Sequence, residues 1–244
     1  MPADNYYLLT ALPSLGDPPA EPPVTPGRML DMIEHARRCH ELAATIFLSD
    51  DLQLRQAVMA GEAPGETAKP VVLSPEQVRD EAPLPAHLAG ADGADESDSA
   101  AQLGADRVWG NYFRHAAAVA RGSEMLTEWV RYEVGLRNAL AVARAKALGL
   151  DAARYLVEPE LGCDEDEFSA VLAEWSAAGD PLAGLKVLDN ARWAWIAEHD
   201  GHYSFRDDEL AAYAARLVIL HRWKRIAEAQ QARQPENDLR EEQP

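Results

Sequence analysis

The chain has 244 residues, of which 23 are Lys or Arg and 41 are Asp or Glu, so its formal charge at pH 7 is −18. A protein of this charge repels the phosphates of nucleic acids and the headgroups of anionic lipids, so we expect no nucleic-acid ligand. Hydrophobic residues make up 47% of the sequence, enough to build one large domain or two small ones. The charge favours a cationic protein partner.

The cysteines and the apolar runs indicate the compartment. Cys39 and Cys163 are far apart in the sequence and neither belongs to a CxxC pair, which favours free thiols in a reducing environment. No apolar run reaches the roughly 18 residues that a transmembrane helix needs. The N-terminus lacks the basic and apolar segments of a signal peptide. We therefore expect a cytoplasmic protein that reaches a membrane through protein partners, without direct insertion.

Residues 1–85 are predicted to form an N-terminal helical part. Its first segment is predicted to be extended instead of helical. Residues 6–12 are a short apolar run bounded by Pro13, and we expect a strand or a buried extended segment there. Thr25 and Pro26 have the pattern of an N-cap followed by proline at the first helical position. They predict the start of the first helix.

Apolar residues at three- and four-residue spacing continue this helix as far as His40, and a second helix is predicted to end at Gly61. Ser74 and Pro75 repeat the cap-and-proline pattern and predict a further short helix. Residues 86–106 are acidic and poor in large apolar side chains, so they cannot offset the cost of ordering. We predict an acidic linker or mobile loop there.

Residues 107–232 are predicted to form a C-terminal helical part, because apolar residues recur there at helical spacing. Gly122 interrupts the pattern, Ser123 can cap the next helix, and Gly149 can end it. Residues 233–244 are polar and are predicted to be a disordered tail. The predicted fold class is all-α: a multi-helix bundle in two helical parts joined by an acidic linker, with at most a short N-terminal extended segment.

Nucleophile-elbow and phosphate-binding motifs are absent from the sequence, so we expect no catalytic activity, no metal and no cofactor. One enzymatic alternative remains open. His199, Asp200 and His202 could present two imidazoles and a carboxylate to zinc, as in a metal-dependent helical hydrolase. The same residues, with Gly201 between them, also fit a polar turn between helices.

Polar residues interrupt the apolar stripe of the helix that follows Ser123. Glu133 and Arg137 are four positions apart with the acid first, the favourable order for a helical ion pair. They form either a solvated pair or, with Asn138 and Arg144, a partly buried network that faces a groove or a partner. Residues 107–146 contain seven basic and three acidic residues, a local charge of +4 that could attract an acidic partner.

Two tryptophans add a second candidate contact. Trp193 and Trp195 are two positions apart on a predicted helix, so one face of that helix cannot bury both. We expect one of them to pack against a partner, because tryptophan is favoured at protein interfaces. The predicted partner-binding residues are therefore Glu133, Arg137, Asn138, Arg144, Trp193 and Trp195.

Four segments share their pattern with one protein family. They are YYLLTALP at residues 6–13, EVGLRNAL at 133–140 together with Trp129, the stretch from Leu188 and Asp189 to Trp193, and the stretch from Phe205 through Tyr213, Leu217 and Leu220 to Trp223. In these segments the chain resembles a domain-of-unknown-function family encoded in bacterial V-type ATPase operons. The resemblance spans most of the chain apart from the acidic linker and the tail.

The resemblance implies a function. That family is thought to replace the C/d-type socket of V/A-type ATPases, the all-helical component between the rotor axle and the membrane ring. The chain would then be a non-enzymatic peripheral component of the central stalk that couples rotation to the transport of protons or other ions. Its partners would be the rotor-axle and membrane-ring subunits. An assembly factor for the same complex and a helical adaptor with other partners remain open alternatives.

Overall fold

The computed structural model describes residues 3–62, 69–90, 104–201 and 203–241. In these residues all the regular secondary structure is helical and none is strand, so the all-α prediction is confirmed. No helix in the described ranges combines the length and the apolar character needed to cross a bilayer. The ten α-helices of these residues are α1 (Ala3–Ala11), α2 (Pro26–Met32), α3 (Arg37–Met59), α4 (Pro75–Val78), α5 (Ala86–Ala89), α6 (Gly104–Val119), α7 (Glu124–Leu148), α8 (Ser169–Ser176), α9 (Pro181–His199) and α10 (Asp207–Glu241).

The chain divides into two compact units, and the first contains both ends of the chain. It consists of Met1–Glu81 and Tyr213–Pro244, whereas the second is Ala82–Ala212. The predicted C-terminal part, 107–232, therefore contributes to both units. The boundary falls inside α10, whose first six residues belong to the second unit and whose remainder belongs to the first. Composition locates polar linkers but not the packing of distant segments, which explains why this division differs from the predicted one.

The predicted acidic linker, 86–106, is helical at both of its described ends. Leu88 on α5 is fully buried, and the side-chain amide of Asn111 donates a hydrogen bond to its carbonyl oxygen at 2.7 Å. Asp106 lies in the first turn of α6. The prediction of a solvated loop is therefore wrong for these two ends, because one buried leucine and its hydrogen bond anchor α5. The intervening residues, 91–103, lie outside the described part of the chain.

The segment predicted to be extended, 6–12, is helical instead, because α1 continues to Ala11. The hydroxyl of Thr10 donates to the carbonyl oxygen of Tyr6 at 2.7 Å, one helical turn back. A short apolar run has no periodicity that separates a strand from a buried helix, which is why the sequence did not distinguish them. The buried Asn5 accepts a hydrogen bond from the Cys39 thiol at 3.6 Å and thereby joins α1 to α3.

The predicted start of α2 is confirmed, since the Thr25 hydroxyl accepts the backbone N–H of Arg28 at 3.1 Å and proline follows the cap. The helix is shorter than expected, however. It ends at Met32, and α3 begins at Arg37, whereas the sequence predicted one helix as far as His40. No glycine or proline lies between these helices, so nothing in the local sequence marks the break.

The ends of α7 agree with the sequence, but the end of α10 does not. The Ser123 hydroxyl accepts the backbone N–H of Leu126 at 3.1 Å, and Gly149 ends α7 with a left-handed backbone. The disordered tail predicted from residue 233 is helical as far as Glu241. Polar composition predicted fraying there, yet Gln, Glu and Arg are good helix formers.

Two adjacent buried acids on α3 carry the main polar contacts of the first unit. Asp50 accepts two hydrogen bonds from Arg225 of α10, at 2.6 and 2.7 Å. Asp51, 2% exposed, accepts the backbone N–H groups of three consecutive residues, 71–73, at 2.6 to 3.1 Å. Burial raises the pKa of Asp51, while these three hydrogen bonds favour its charged form. This carboxylate therefore fixes the segment before α4.

We expect Asp51→Asn to destabilise the first unit. The new amide group turns an N–H donor toward at least one backbone N–H donor, and it removes the negative charge that all three N–H groups favour. Loss of such bonds predicts a decrease of about 2–4 kcal/mol in the free energy of unfolding. Urea denaturation followed by circular dichroism measures it. Asp31→Asn, at a side chain that is 70% exposed, is the matched control and should have almost no effect. Equal losses in both variants would contradict this account of the Asp51 site.

A second polar contact in the first unit depends on pH. The Nε2 atom of His221 on α10 lies 3.0 Å from the carbonyl oxygen of Val24. Burial lowers the pKa of His221. The nearby charges of Arg225 and Lys224 act in the same direction, whereas the Val24 carbonyl and the carboxylate of Asp50 oppose them. The neutral imidazole is therefore the form that the folded unit prefers.

This preference predicts a loss of stability in mild acid. The unfolded chain protonates His221 near its ordinary pKa of about 6.5, before the folded protein does. The free energy of unfolding should therefore decrease as the pH falls through 6.5 and level off below the lowered pKa of the folded state. His221→Gln should flatten this slope, whereas His35→Gln, at a side chain 95% exposed, should leave it unchanged. Denaturation curves between pH 7.5 and 5 measure it, and identical slopes in both variants would refute the assignment.

Candidate partner-binding surface

Glu133 does not form the local ion pair with Arg137 that the sequence allowed. Its two carboxylate oxygens accept hydrogen bonds from Nε and Nη2 of Arg192 on α9, at 2.6 and 3.0 Å. The remaining Nη1 donates to Asp189 at 3.2 Å, one turn earlier on α9. The Arg192 side chain is 13% exposed and that of Asp189 is 1% exposed. The partly buried polar network is therefore present, but it joins two helices inside the second unit.

Neighbouring carboxylates stabilise the charged form of Arg192. Burial alone would favour the neutral form, yet the carboxylates of Glu133 and Asp189 raise the pKa of Arg192 above its usual value. Burial also raises the pKa of Tyr132, which lies beside this pair, so its hydroxyl stays protonated. A bidentate, enclosed pair of this kind fixes the relative position of two helices.

Arg137 also points into the second unit. Its Nη2 atom donates to Asp106 of α6 at 3.2 Å, and its guanidinium lies 4.7 Å from the ring centre of Trp109 on the same helix. Burial lowers the pKa of Arg137, and the adjacent carboxylate partly opposes that change. Arg137 therefore attaches the first turns of α6 to α7, which is an internal structural role.

Asn138 holds the chain that follows α7. Its Nδ2 group donates to the carbonyl oxygen of Val157, and its Oδ1 atom accepts the N–H of the same residue, both at 2.9 Å. Asn138 is 5% exposed and Val157 is 2% exposed. One side chain thus satisfies both backbone groups of a buried residue that belongs to no helix.

Gly135, which the sequence patterns did not single out, lets the segment that follows Val157 approach α7. A Cβ atom at this position would lie 2.7 Å from the Sγ atom of Cys163 and 2.8 Å from the ring of Phe168. The N–H of Cys163 also donates to the carbonyl oxygen of Arg131 at 3.3 Å. A glycine in the middle of a long amphipathic helix was the available signal, because it costs helix stability unless packing requires it.

Four of the predicted partner-binding residues lie on α7, and Arg144 is the exposed one. It lies near the end of the helix, with its guanidinium carbon 5.4 Å from the ring centre of Trp175 on α8. Among the six predicted residues, it combines an exposed charge with an aromatic neighbour. It can therefore contact a partner without first leaving an internal site.

The two tryptophans of α9 are both half-buried. Trp195 belongs to an aromatic cluster, with its ring centre 5.4 Å from Trp129 and 5.2 Å from Tyr132. The ring of His199 stacks on Trp195, with the ring centres 3.9 Å apart and an interplanar angle of 8°. Trp195 therefore stabilises the packing of α9 on α7. That one of the two tryptophans packs against a partner protein stays a prediction.

The structure describes two of the three proposed zinc ligands, His199 and Asp200. The Nδ1 atom of His199 lies 2.8 Å from the carbonyl oxygen of Trp195, and Asp200 is buried. His202 lies outside the described part of the chain. Within that part, no group of three His, Cys, Asp or Glu side chains has the geometry of a metal site.

A shallow hollow of about 320 Å³ lies beside the first turn of α7. Its lining includes Glu124, Glu128 and Arg206, which carry opposite charges. Arg206 lies 3.4 Å from Asp208, and Ser123 donates to the same carboxylate at 2.6 Å. Arg206 and Ser123 thus share the Asp208 carboxylate, and the lining carries charges of both signs, so the hollow does not favour one class of ligand.

We expect Arg192→Ala to lower the stability of the second unit strongly. It leaves Glu133 and Asp189 buried without their shared cation, and removal of one partner from such a pair costs about 3–5 kcal/mol. Arg131→Ala is the control, because that side chain is 51% exposed and its ion pair is with the exposed Glu128. It should change the free energy of unfolding by less than about 1 kcal/mol.

Urea denaturation of both variants, together with Glu133→Ala and the double variant Glu133→Ala/Arg192→Ala, measures the pair. The double variant should lose much less than the sum of the single losses, because the second truncation removes a charge that the first left unpaired. Additive losses would show that Glu133 and Arg192 act independently.

The chain has no significant match among protein-family models, curated proteins or solved structures.

Proposed function

We propose that the protein is a non-enzymatic peripheral component of a V/A-type rotary ATPase. In this proposal it occupies the central-stalk socket and couples the rotor axle to the membrane ring, in the manner of the C/d-type socket. The observation that carries the proposal is the resemblance of four segments to the family from V-type ATPase operons. Three of them include residues of α7, α9 and α10, and the fourth includes most of α1.

The internal contacts of the second unit support a mechanical role. A coupling component transmits force between two other assemblies, so its helices must keep their relative positions under load. Polar side chains of α7 hold α9 through Glu133, α6 through Arg137, and the segment at Val157 through Asn138. Each of these contacts is directional, and each joins α7 to a different segment. A helix held in this way moves with its neighbours.

We expect the full-length protein, tagged and purified from its native cells in mild detergent, to bring rotor-axle and membrane-ring subunits with it in a fixed ratio. A stable socket remains attached during purification because it contacts both assemblies. Quantitative mass spectrometry of the purified material measures the ratio. Cells that carry the tag alone provide the matched control for adsorption.

Two other outcomes would overturn the socket proposal in different ways. Recovery of ATPase subunits in small, variable amounts would support the alternative of an assembly factor for the same complex. Recovery of none of them would contradict both ATPase roles and would favour a helical adaptor with other partners. Stoichiometric zinc, iron or manganese in the purified protein would favour the metal-dependent hydrolase.

A further inference from the structure

The end of α7 exposes two large apolar side chains. We define residues 144–154 as the α7 tip: the last turn of the helix, its terminal glycine and the short 3₁₀ turn that follows. Leu148 is 72% exposed and Leu150 is 47% exposed. Gly149, at φ +67°, turns the chain here, and the N–H of Leu150 donates to the carbonyl oxygen of Ala145 at 2.8 Å.

This helix-ending motif explains the place of Leu150 but not that of Leu148. A residue just after the terminal glycine commonly packs back on the last turn of its helix, as Leu150 can do. Leu148 lies one turn after Arg144 on the same helix face, and Arg144 lies against Trp175 of α8. Arg144 is therefore next to Trp175 on one side and, by helical spacing, to the exposed Leu148 on the other. Tryptophan and arginine are enriched among the residues that dominate binding energy at protein interfaces.

The charge of the α7 tip is opposite to that of the whole chain. Arg144, Lys146 and Arg154 are exposed, and among the described residues no acidic side chain forms an ion pair with them. The one acid of the tip, Asp151, accepts the N–H of Ala153 at 3.2 Å and caps the 3₁₀ turn. Lys146 in the last turn also suits the negative end of the helix dipole, but that effect does not require exposed leucine beside it.

We propose that the α7 tip docks an acidic segment of a partner protein, one that also carries apolar residues. Its carboxylates pair with Arg144, Lys146 and Arg154, while its apolar side chains cover Leu148 and Leu150. A chain of charge −18 repels an acidic partner over most of its surface, so the approach is directed to the tip. An anionic membrane fits less well, because it would bring the whole acidic chain close to a surface of the same charge. This inference does not depend on the ATPase proposal.

Site-specific photo-crosslinking in native cells tests the proposal. The full-length tagged protein carries p-benzoylphenylalanine in place of Leu148, and mass spectrometry identifies the peptide that is crosslinked. We expect that peptide to contain more Asp and Glu than Lys and Arg. Removal of two cations by Lys146→Gln and Arg154→Gln should lower the crosslinking yield about tenfold, which corresponds to about 1.4 kcal/mol of binding free energy.

Matched controls separate this surface from the rest of the chain. The photo-reactive residue in place of Ala118, an exposed position on α6, should not give the same crosslink. Arg28→Gln with Arg107→Gln removes two exposed cations elsewhere and should leave the yield at position 148 unchanged. Thermal unfolding of each variant, followed by circular dichroism, verifies that the fold is retained.

Several results would overturn the proposal: a crosslinked peptide without excess acid, a crosslink to lipid, no crosslink from position 148 in folded protein, or equal losses in the two charge variants. The identity of the protein that supplies the acidic peptide tests the ATPase proposal separately. An acidic peptide from another protein would support the tip as a docking surface and count against the ATPase role. Stoichiometric ATPase subunits without a crosslink from position 148 would support the ATPase role and contradict the α7 tip as a docking surface.

Discussion

The position of α7 in the second unit depends on the buried ion pair between Glu133 and Arg192. Two charges are taken out of water there, and the cost is offset only if the geometry is kept, since either charge alone would be strongly unfavourable. The pair therefore selects one register of α7 on α9. The contact of Arg137 with Asp106 and the clamp of Asn138 on Val157 extend the same constraint to α6 and to the chain after α7. Gly135 lets that chain approach closely.

This constraint separates the predicted partner-binding residues into two groups. Glu133, Arg137 and Asn138 have their hydrogen-bonding groups directed to other parts of the second unit, so a partner would have to compete with internal contacts. Arg144 is exposed and lies against Trp175. A mutation of the internal residues tests stability as well as binding. A mutation at the end of α7 tests binding with little change to the packing of the helix.

Features set by neighbouring residues could be predicted from the sequence, and features set by distant residues could not. The caps at Thr25 and Ser123 and the glycine end of α7 each depend on a few consecutive residues, and all three are present. Glu133 and Arg137 looked like a pair because they are four apart. Their partners are 59 and 31 residues away, and no local spacing could have identified them.

Contacts between distant residues also set the extent of the two units. The first unit joins α3 to α10 through Asp50 and Arg225, which are 175 residues apart, so its extent depends on contacts that composition does not encode. The buried Leu88, with the Asn111 bond to its carbonyl, likewise makes α5 helical in a segment whose composition predicts a loop. The acidic composition predicted a solvated segment, but at α5 one buried side chain and one hydrogen bond decided the local structure.

The arrangement of α7 gives its exposed end a property that a free helix would lack. Force applied to the last turn acts on a helix whose middle is joined to α9, to α6 and to the chain at Val157 by directional polar contacts. Such a helix cannot rotate or slide without breaking a buried charge pair, so a load at its end passes to the rest of the second unit. An exposed basic and apolar tip on a rigidly held helix is therefore suited to attachment under load, and the two features are useful together because they belong to one helix.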